Sequence, residues 1–161
     1  MPAPRGDDLP AIQRSLETLL RLNASRGVHA NVVGAAGVSL SQPGYTLLRR
    51  VDEQGPTPLG DLARSTHMDP AVVSRQIRQL EDDGLVRRLA DARDGRVTLI
   101  EVTPRGRAVR ERVSDVLERH ISDALDRWTP DDRRRLGELL GRLVDDLRAV
   151  RYRPQTEETS A

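Results

Sequence analysis

Residues 57–102 carry the signals that most restrict the fold. Thr57-Pro58 and Asp69-Pro70 each place an oxygen-bearing residue before a proline. This order is typical of a helix start, because the side chain caps free amides and proline at the first helical position loses no needed hydrogen bond. The two starts lie so close together that they predict two short helices joined by a tight turn, which is a helix-turn-helix.

The second of these helices is predicted over about residues 70–83, where Val73, Ile77 and Leu80 have the spacing of a buried stripe. If this helix lay in a major groove, its N-terminal half would meet the base edges, and Ala71 or Val72 could touch a thymine methyl. The candidates for DNA contact on it are Ala71, Val72, Ser74, Arg75, Gln76 and Arg78.

A β-hairpin is predicted directly after this helix, with strands over residues 85–90 and 96–102. The strands flank Asp94-Gly95, a hairpin signal because both residues tolerate positive φ. Arg93 and Arg96 lie at the tip, and Arg88 lies near the base. An arginine-bearing hairpin beside a helix in the major groove would reach the adjacent minor groove, so the hairpin is interpreted as the wing of a winged helix-turn-helix that binds double-stranded DNA.

Hydroxyl side chains near the ends of the first short helix extend this predicted surface. Thr57 precedes the helix, and Ser65 and Thr66 lie at its end. Hydroxyls and free amides at such positions can bind phosphate. We therefore include these three residues among the predicted DNA contacts.

The rest of the chain predicts helices. One begins at about Leu9 and continues into residues 27–37, and another follows Ser41 and stops near Gly55. Two later helices carry apolar stripes with the spacing of helices that pack on other helices. Their members are Val109, Val113, Val116, Leu117, Ile121 and Leu125 in one, and Leu136, Leu139, Leu140, Leu143, Leu147 and Val150 in the other. The fold class is therefore mainly α with a small β-hairpin wing.

Composition removes several classes of function. There is no cysteine, so disulfides and thiolate zinc sites are excluded. The three histidines lack the paired spacing of metal ligands, and no phosphate loop or nucleophile elbow is present, so we expect neither a metal, nor a cofactor, nor an enzyme. No apolar run is long enough for a membrane span or a signal peptide, which favours a cytoplasmic protein. All 26 basic residues are arginine, whose planar group pairs with phosphate or guanine through two hydrogen bonds.

Three segments together resemble the MarR family (multiple antibiotic resistance regulators). They are residues 80–88 (LEDDGLVRR), 91–96 (DARDGR) and 102–106 (VTPRG). The Asp-x-Arg-Asp-x-Arg pattern of the second segment is the most specific. The resemblance covers about residues 9–150, and one departure is Gly44, where the family often has glutamine.

The resemblance implies a homodimer that binds a pseudo-palindromic operator, usually as a repressor that a small ligand releases. Residues 9–40 and 104–150 would then supply N- and C-terminal dimerisation helices, residues 41–103 the DNA-binding lobe, and residues 1–8 and 153–161 flexible tails. By position, Arg93 and Arg96 become minor-groove contacts and Asp91 the residue that braces the wing. Family members often bind anionic aromatic compounds beside the dimerisation helices, and His29 and Tyr45 are the predicted ligand contacts here.

One alternative stays open from the sequence. A winged-helix domain can bind a protein partner through the same surface, with the wing arginines facing acidic side chains. Such a module would not need arginines on both the wing tip and the second helix. Salt-dependent binding to duplex DNA separates the two hypotheses.

Overall fold

The structure, a computed structural model, describes residues 8–92 and 94–150. Seven helices and three short strands follow one another in these residues. They are α1 (Leu9–Asn23), α2 (Arg26–Ala35), α3 (Gln42–Gln54), β1 (Thr57–Pro58), α4 (Leu59–Thr66), α5 (Pro70–Asp82), β2 (Val86–Ala90), β3 (Thr98–Val102), α6 (Pro104–Ala124) and α7 (Pro130–Ala149). The chain divides into two compact units, with the boundary between Arg119 and His120 inside α6.

The N-terminal helix is shorter than the sequence predicts. α1 ends at Asn23, and α2 begins at Arg26 instead of continuing it. Ser25 lies between them with φ −68° and ψ 123°, an extended conformation that an α-helix cannot include. The prediction of one helix running into residues 27–37 is therefore wrong, because the apolar spacing alone did not reveal this break.

The core of the first unit is built from α3, α4, α5, the sheet and the start of α6. The predicted stripe of α5 is confirmed, since Val73, Ile77 and Leu80 are all buried. They pack with fully buried side chains of the neighbouring elements, namely Leu47, Leu48, Val51, Leu62 and Ile100. Helix-turn-helix and hairpin thus share one hydrophobic core.

The helix cap predicted at Asp69 is confirmed, whereas the one predicted at Thr57 is not. Asp69 accepts hydrogen bonds from two amides of α5, and the hydroxyls of Ser41 and Thr129 accept from Gly44 and Asp132. Thr57 instead belongs to β1, and α4 begins only at Leu59. The Thr57 hydroxyl donates to the Gly55 carbonyl at 2.8 Å.

The sheet has three antiparallel strands in the order β1-β3-β2. The predicted hairpin is confirmed, with Val86 opposite Val102 and Ala90 opposite Thr98. β1 adds the pair Thr57 and Ile100 on the other edge of β3. This strand escaped prediction because a two-residue strand is too short to show an alternating pattern.

One hydroxyl joins the end of α5, the base of the hairpin and the start of α6. Gly84, at φ +69°, ends α5, with the Leu85 amide donating to the Leu80 carbonyl as in a Schellman motif. Thr103 Oγ1 donates to the Gly84 carbonyl at 2.7 Å and accepts from the Gly106 amide at 3.0 Å. These contacts give a physical reason for the VTPRG segment.

The terminal helices expose apolar side chains. α7 buries none of its residues, and Leu147 is 59% exposed. α1 likewise exposes Leu9, Ile12, Leu19, Leu20 and Leu22, and α7 also exposes Leu139, Leu140 and Val144. Leu125 and Val150, predicted at the ends of stripes, lie just beyond α6 and α7.

Across residues 8–92 and 94–150, no helix has the length and apolarity needed to cross a membrane.

Candidate nucleic-acid interface

Helix α5, the second helix of the helix-turn-helix and the predicted recognition helix, begins directly after Asp69. Asp69 Oδ1 accepts from the amides of Ala71 at 2.8 Å and Val72 at 3.3 Å, and Pro70 occupies the first helical position. In the preceding turn His67 adopts the left-handed conformation, with φ 54°. The Met68 amide then donates to the Ala63 carbonyl, which closes the end of α4. The turn between α4 and α5 is therefore held by hydrogen bonds at the end of one helix and at the start of the other.

The outer face of α5, defined by Ala71, Arg75 and Arg78, is exposed along its whole length. In the part of the chain that the structure describes, the guanidinium groups of Arg75 and Arg78 make neither an ion pair nor a hydrogen bond. Because the opposite face is completely buried, these charges cannot turn inward. Both arginines are available to a ligand that carries negative charge or hydrogen-bond acceptors.

The other predicted contacts on α5 lie at the edge of this face. Val72 and Ser74 are half-buried. Gln76 is half-buried as well, and its Oε1 accepts from the hydroxyl of Ser41 at 2.6 Å. Gln76 therefore already has a partner within the protein, which distinguishes it from Arg75 and Arg78.

The wing tip is a wider loop than the sequence predicts. The pairs between β2 and β3 stop at Ala90 and Thr98, and the Val97 amide donates to the Asp94 carbonyl at 2.9 Å. Gly95 and Arg96 are therefore the central residues of the turn, so the prediction that Asp94-Gly95 forms its centre is wrong. Among the described glycines, only Gly37, Gly55 and Gly84 have positive φ. The φ of Gly95 is not positive, so this turn does not use the positive φ on which the prediction rested.

Asp91 lies at the start of this loop. Its Oδ1 accepts from the Asp94 amide at 3.4 Å, while its own amide donates to the Val97 carbonyl. Arg96 is exposed, and its amide donates to Asp94 Oδ1 at 3.0 Å. Arg93 lies outside the described residues. The carboxylates of Asp91 and Asp94 thus both accept from backbone amides of the loop. The Arg96 side chain in the same loop is exposed.

The base of the wing is fastened by ion pairs. Arg88 Nε lies 2.8 Å from Glu81 Oε2 on α5, and Arg87 Nε lies 2.6 Å from Glu101 Oε2 on β3. The predicted contact residue Arg88 therefore connects the hairpin to the recognition helix. Neither arginine is as available to an outside partner as Arg75 or Arg78.

The hydroxyl residues around α4 are placed differently from the arginines. Thr57 is only 8% exposed and donates within its own loop, so its prediction as a phosphate contact is corrected. Ser65 and Thr66 are half-buried, and both donate to the Leu62 carbonyl. They end a helix instead of beginning one, so they are flanked by carbonyls and not by free amides.

A cleft on the first unit brings His29 and Tyr45 together. Its volume is about 180 Å³, and its lining consists of Val28, His29, Val32, Gln42, Tyr45, Thr46, Arg49, Val113 and Leu117. The valines and Leu117 supply apolar walls, and Arg49 supplies a positive charge that also lies 3.7 Å from Glu53. Sequence reasoning missed Arg49, although its position four residues after Tyr45 places both on one face of α3.

No group of three potential metal ligands occurs within residues 8–92 and 94–150.

Comparison with known proteins matches the same lobe. Residues 40–98 match the model of the MarR family. An HTH-type transcriptional regulator of Bacillus subtilis, YxaD, is 31% identical over 132 residues, which cover 82% of this chain and 90% of the relative. An HTH-type transcriptional repressor of Mycobacterium tuberculosis, Rv2887, is 29% identical over 68% of this chain and 78% of its own length.

Solved structures agree with the fold. A probable transcriptional regulator from Pseudomonas aeruginosa has 31% identity and a TM-score of 0.58 over 80% of this chain and 96% of its own. A crystal structure of MarR superimposes with a TM-score of 0.68 at 23% identity, covering 86% of this chain and 98% of that one. With a relative above 30% identity matched along most of its length, the chain belongs to the MarR family of transcriptional regulators.

Proposed function

We propose that the protein is a homodimeric repressor that binds a pseudo-palindromic duplex and is released by a small anionic ligand. The observation that carries DNA binding is the outer face of α5, where Arg75 and Arg78 are exposed and unpaired among the described residues. A helix of this length spans roughly 20 Å, which suits a major groove about 12 Å wide. The exposed Arg96, together with Arg93 as the sequence pattern suggests, would approach the neighbouring minor groove.

Duplex binding should depend steeply on salt. We expect nanomolar to micromolar affinity for DNA from the protein's own promoter region, measured by fluorescence anisotropy. The logarithm of the association constant should fall with the logarithm of salt concentration, with a slope near −0.9 for each phosphate contacted. Six such contacts would reduce affinity about 1,000-fold between roughly 50 and 200 mM salt.

A scrambled duplex of equal length is the control, because it keeps the phosphates and loses the operator. If no duplex binds even at low salt, the proposal of a DNA-binding repressor is wrong. Capture of an acidic protein by the same arginines would then favour the interaction-module alternative.

Dimerisation is proposed from the exposed apolar faces of α1 and α7. Long helices with leucines at helical spacing rarely leave them in water, and a second copy of the chain offers the same surface in return. Leu140 and Leu147 lie two turns apart on α7 and mark one such face. We propose that a second copy covers this face.

Sedimentation velocity at about 10 µM should therefore show a dimer, because an interface of ordinary size stays formed at this concentration. Replacing Leu140 and Leu147 by glutamate should convert it to monomer or to unfolded chain. Arg134→Glu adds the same charge on the side of α7 that lies at least about 120° from Leu140 and Leu147, and it should leave the dimer intact. A wild-type monomer would contradict the proposal.

The ligand is proposed from the lining of the cleft. Apolar side chains such as Val32 and Leu117 suit an aromatic ring, while Arg49 and Tyr45 offer a charge and a hydroxyl to a carboxylate. His29 Nε2 lies 2.7 Å from the Leu40 carbonyl and must donate to it, since a carbonyl only accepts. An aromatic carboxylate is thus the proposed ligand class.

Thermal denaturation with a panel of aromatic carboxylates should find at least one that raises Tm by about 5 °C at 100 times its Kd. The neutral amide of the same compound should give a much smaller rise, because Arg49 would gain no ion pair. Arg49→Gln should weaken binding of the carboxylate about tenfold, whereas Arg119→Gln on α6 should leave its affinity unchanged. Equal shifts from acid and amide would contradict the assignment of Arg49.

A further inference from the structure

A continuous path of hydrogen bonds runs from the cleft to the recognition helix. His29, which lines the cleft, donates from Nε2 to the Leu40 carbonyl at 2.7 Å. The next residue, Ser41, donates from its hydroxyl to Gln76 Oε1 on α5 at 2.6 Å. Only one peptide unit separates the two hydrogen bonds. His29 and Gln76 are thus linked through one peptide unit and the Ser41 side chain.

The Ser41 hydroxyl makes two hydrogen bonds, one to each of two helices. Its one hydrogen goes to Gln76, and its oxygen accepts from the Gly44 amide at 3.1 Å, which caps α3. Ser41 consequently cannot move relative to α3 without losing the cap, or relative to α5 without losing the bond to Gln76. The same atom holds both helices.

Close packing around Gly44 adds to this coupling. A Cβ at Gly44 would lie 3.0 Å from Ser41 Oγ, 3.2 Å from Leu40 Cδ1 and 3.3 Å from Gln76 Oε1. Contacts this short are at the limit that packed atoms tolerate, so a side chain here would press on three members of the path. The absence of a side chain at Gly44 allows Gln76 to fold back onto Ser41.

Gln76 lies at the edge between the exposed and the buried faces of α5. Its neighbours are Arg75, on the outer face, and Ile77, which is fully buried. Displacement of the Gln76 side chain thus acts on the turn of α5 that presents Arg75 to a ligand. Gln76 is better suited to orient this turn than to contact DNA itself.

We infer that Ser41 and Gln76 are positioning residues that couple occupation of the His29 cleft to the orientation of the recognition helix. The inference rests on the proposed function for its biological meaning, since it concerns regulation of the same DNA surface. The coupling is a property of the free protein and can be measured without DNA or ligand.

The first test uses NMR on the free protein. His29→Leu removes the donor in the cleft and should shift the Gln76 side-chain amide and the backbone amides of residues 73–78. The same substitution made on a Ser41→Gly background should produce shifts at least about threefold smaller, because the path is interrupted. Shifts of equal size in both backgrounds would overturn the inference.

Ser41→Gly is chosen because glycine still serves as an N-cap and costs only a few tenths of a kcal/mol there relative to serine. Ser41→Thr is its matched control, since threonine keeps both the cap and the hydroxyl donor. His29→Leu on the Ser41→Thr background should retain the full shifts. Thermal melts of each variant establish that the comparison is made between folded proteins.

The second test measures affinity for the promoter duplex. Ser41→Gly and His29→Leu should each weaken binding about 3- to 10-fold, and the double variant should be no weaker than the worse single variant. Strictly additive effects would overturn the inference. If the wild-type protein binds no duplex, the proposed function fails, whereas the NMR shifts still decide whether the path exists.

Discussion

Gly106→Ala is expected to lower the free energy of unfolding by about 3 kcal/mol, because the added methyl has no room. Its Cβ would lie well inside the contact distance of the Leu85 carbonyl oxygen and 2.8 Å from Val102 Cγ2. The nearest obstacle is backbone, which cannot rotate away as a side chain can. Urea denaturation followed by circular dichroism measures the change.

The control for this substitution is Gly60→Ala. Gly60 is also helical, but nothing lies within 4 Å of the position of its Cβ. Alanine there should stabilise the protein by roughly 0.5 kcal/mol, as glycine to alanine generally does in an exposed helix. If Gly106→Ala were as stable as wild type, the close approach of α6 to Leu85 would be wrong.

The double substitution Arg75→Ala/Arg78→Ala is expected to weaken operator binding about 100-fold at fixed salt, since each good arginine contact to a base is worth about 1–3 kcal/mol. Stability should change little, because both side chains are exposed and unpaired among the described residues. Fluorescence anisotropy with the operator and with a scrambled duplex measures affinity and specificity separately.

These two arginines can be assigned different roles by their single variants. Loss of a base contact reduces the preference for the operator over the scrambled duplex, whereas loss of a phosphate contact weakens both duplexes equally and makes the salt slope less steep by about 1. Arg119→Ala, an exposed arginine of α6, is the control and should leave affinity unchanged. Unaltered binding by the double variant would remove the outer face of α5 from the interface.

The sequence predicted α5 well because its signals are local. Asp69-Pro70 fixes the start through the chemistry of one side chain, and the stripe of Val73, Ile77 and Leu80 selects the buried face. The break at Ser25 and the strand β1 were missed for the opposite reason. The break is decided by the backbone angles of one residue, and the strand by pairing with the distant β3, neither of which periodicity records.

The candidate sites show the same division. Exposure of Arg75 and Arg78 follows from helical spacing, so it could be expected from the sequence alone. The engagement of Gln76 by Ser41 and of Arg88 by Glu81 could not, because each bond joins residues of different elements. Gly44, a departure from the family pattern, acquires a physical explanation only when Gln76 is seen to occupy the adjacent space.

The junction at Thr103 has a mechanical consequence. Its hydroxyl bonds to Gly84 and to Gly106, and its amide bonds to the Leu85 carbonyl. The end of α5, the base of the wing and the start of α6 are thus joined at one residue. A rotation of the start of α6 would strain all of these hydrogen bonds at once. We therefore expect the start of α6, the wing and the end of α5 to move together as one rigid group. Thr103→Val keeps the shape of the side chain but removes its hydroxyl, so it should loosen the connection between these three elements.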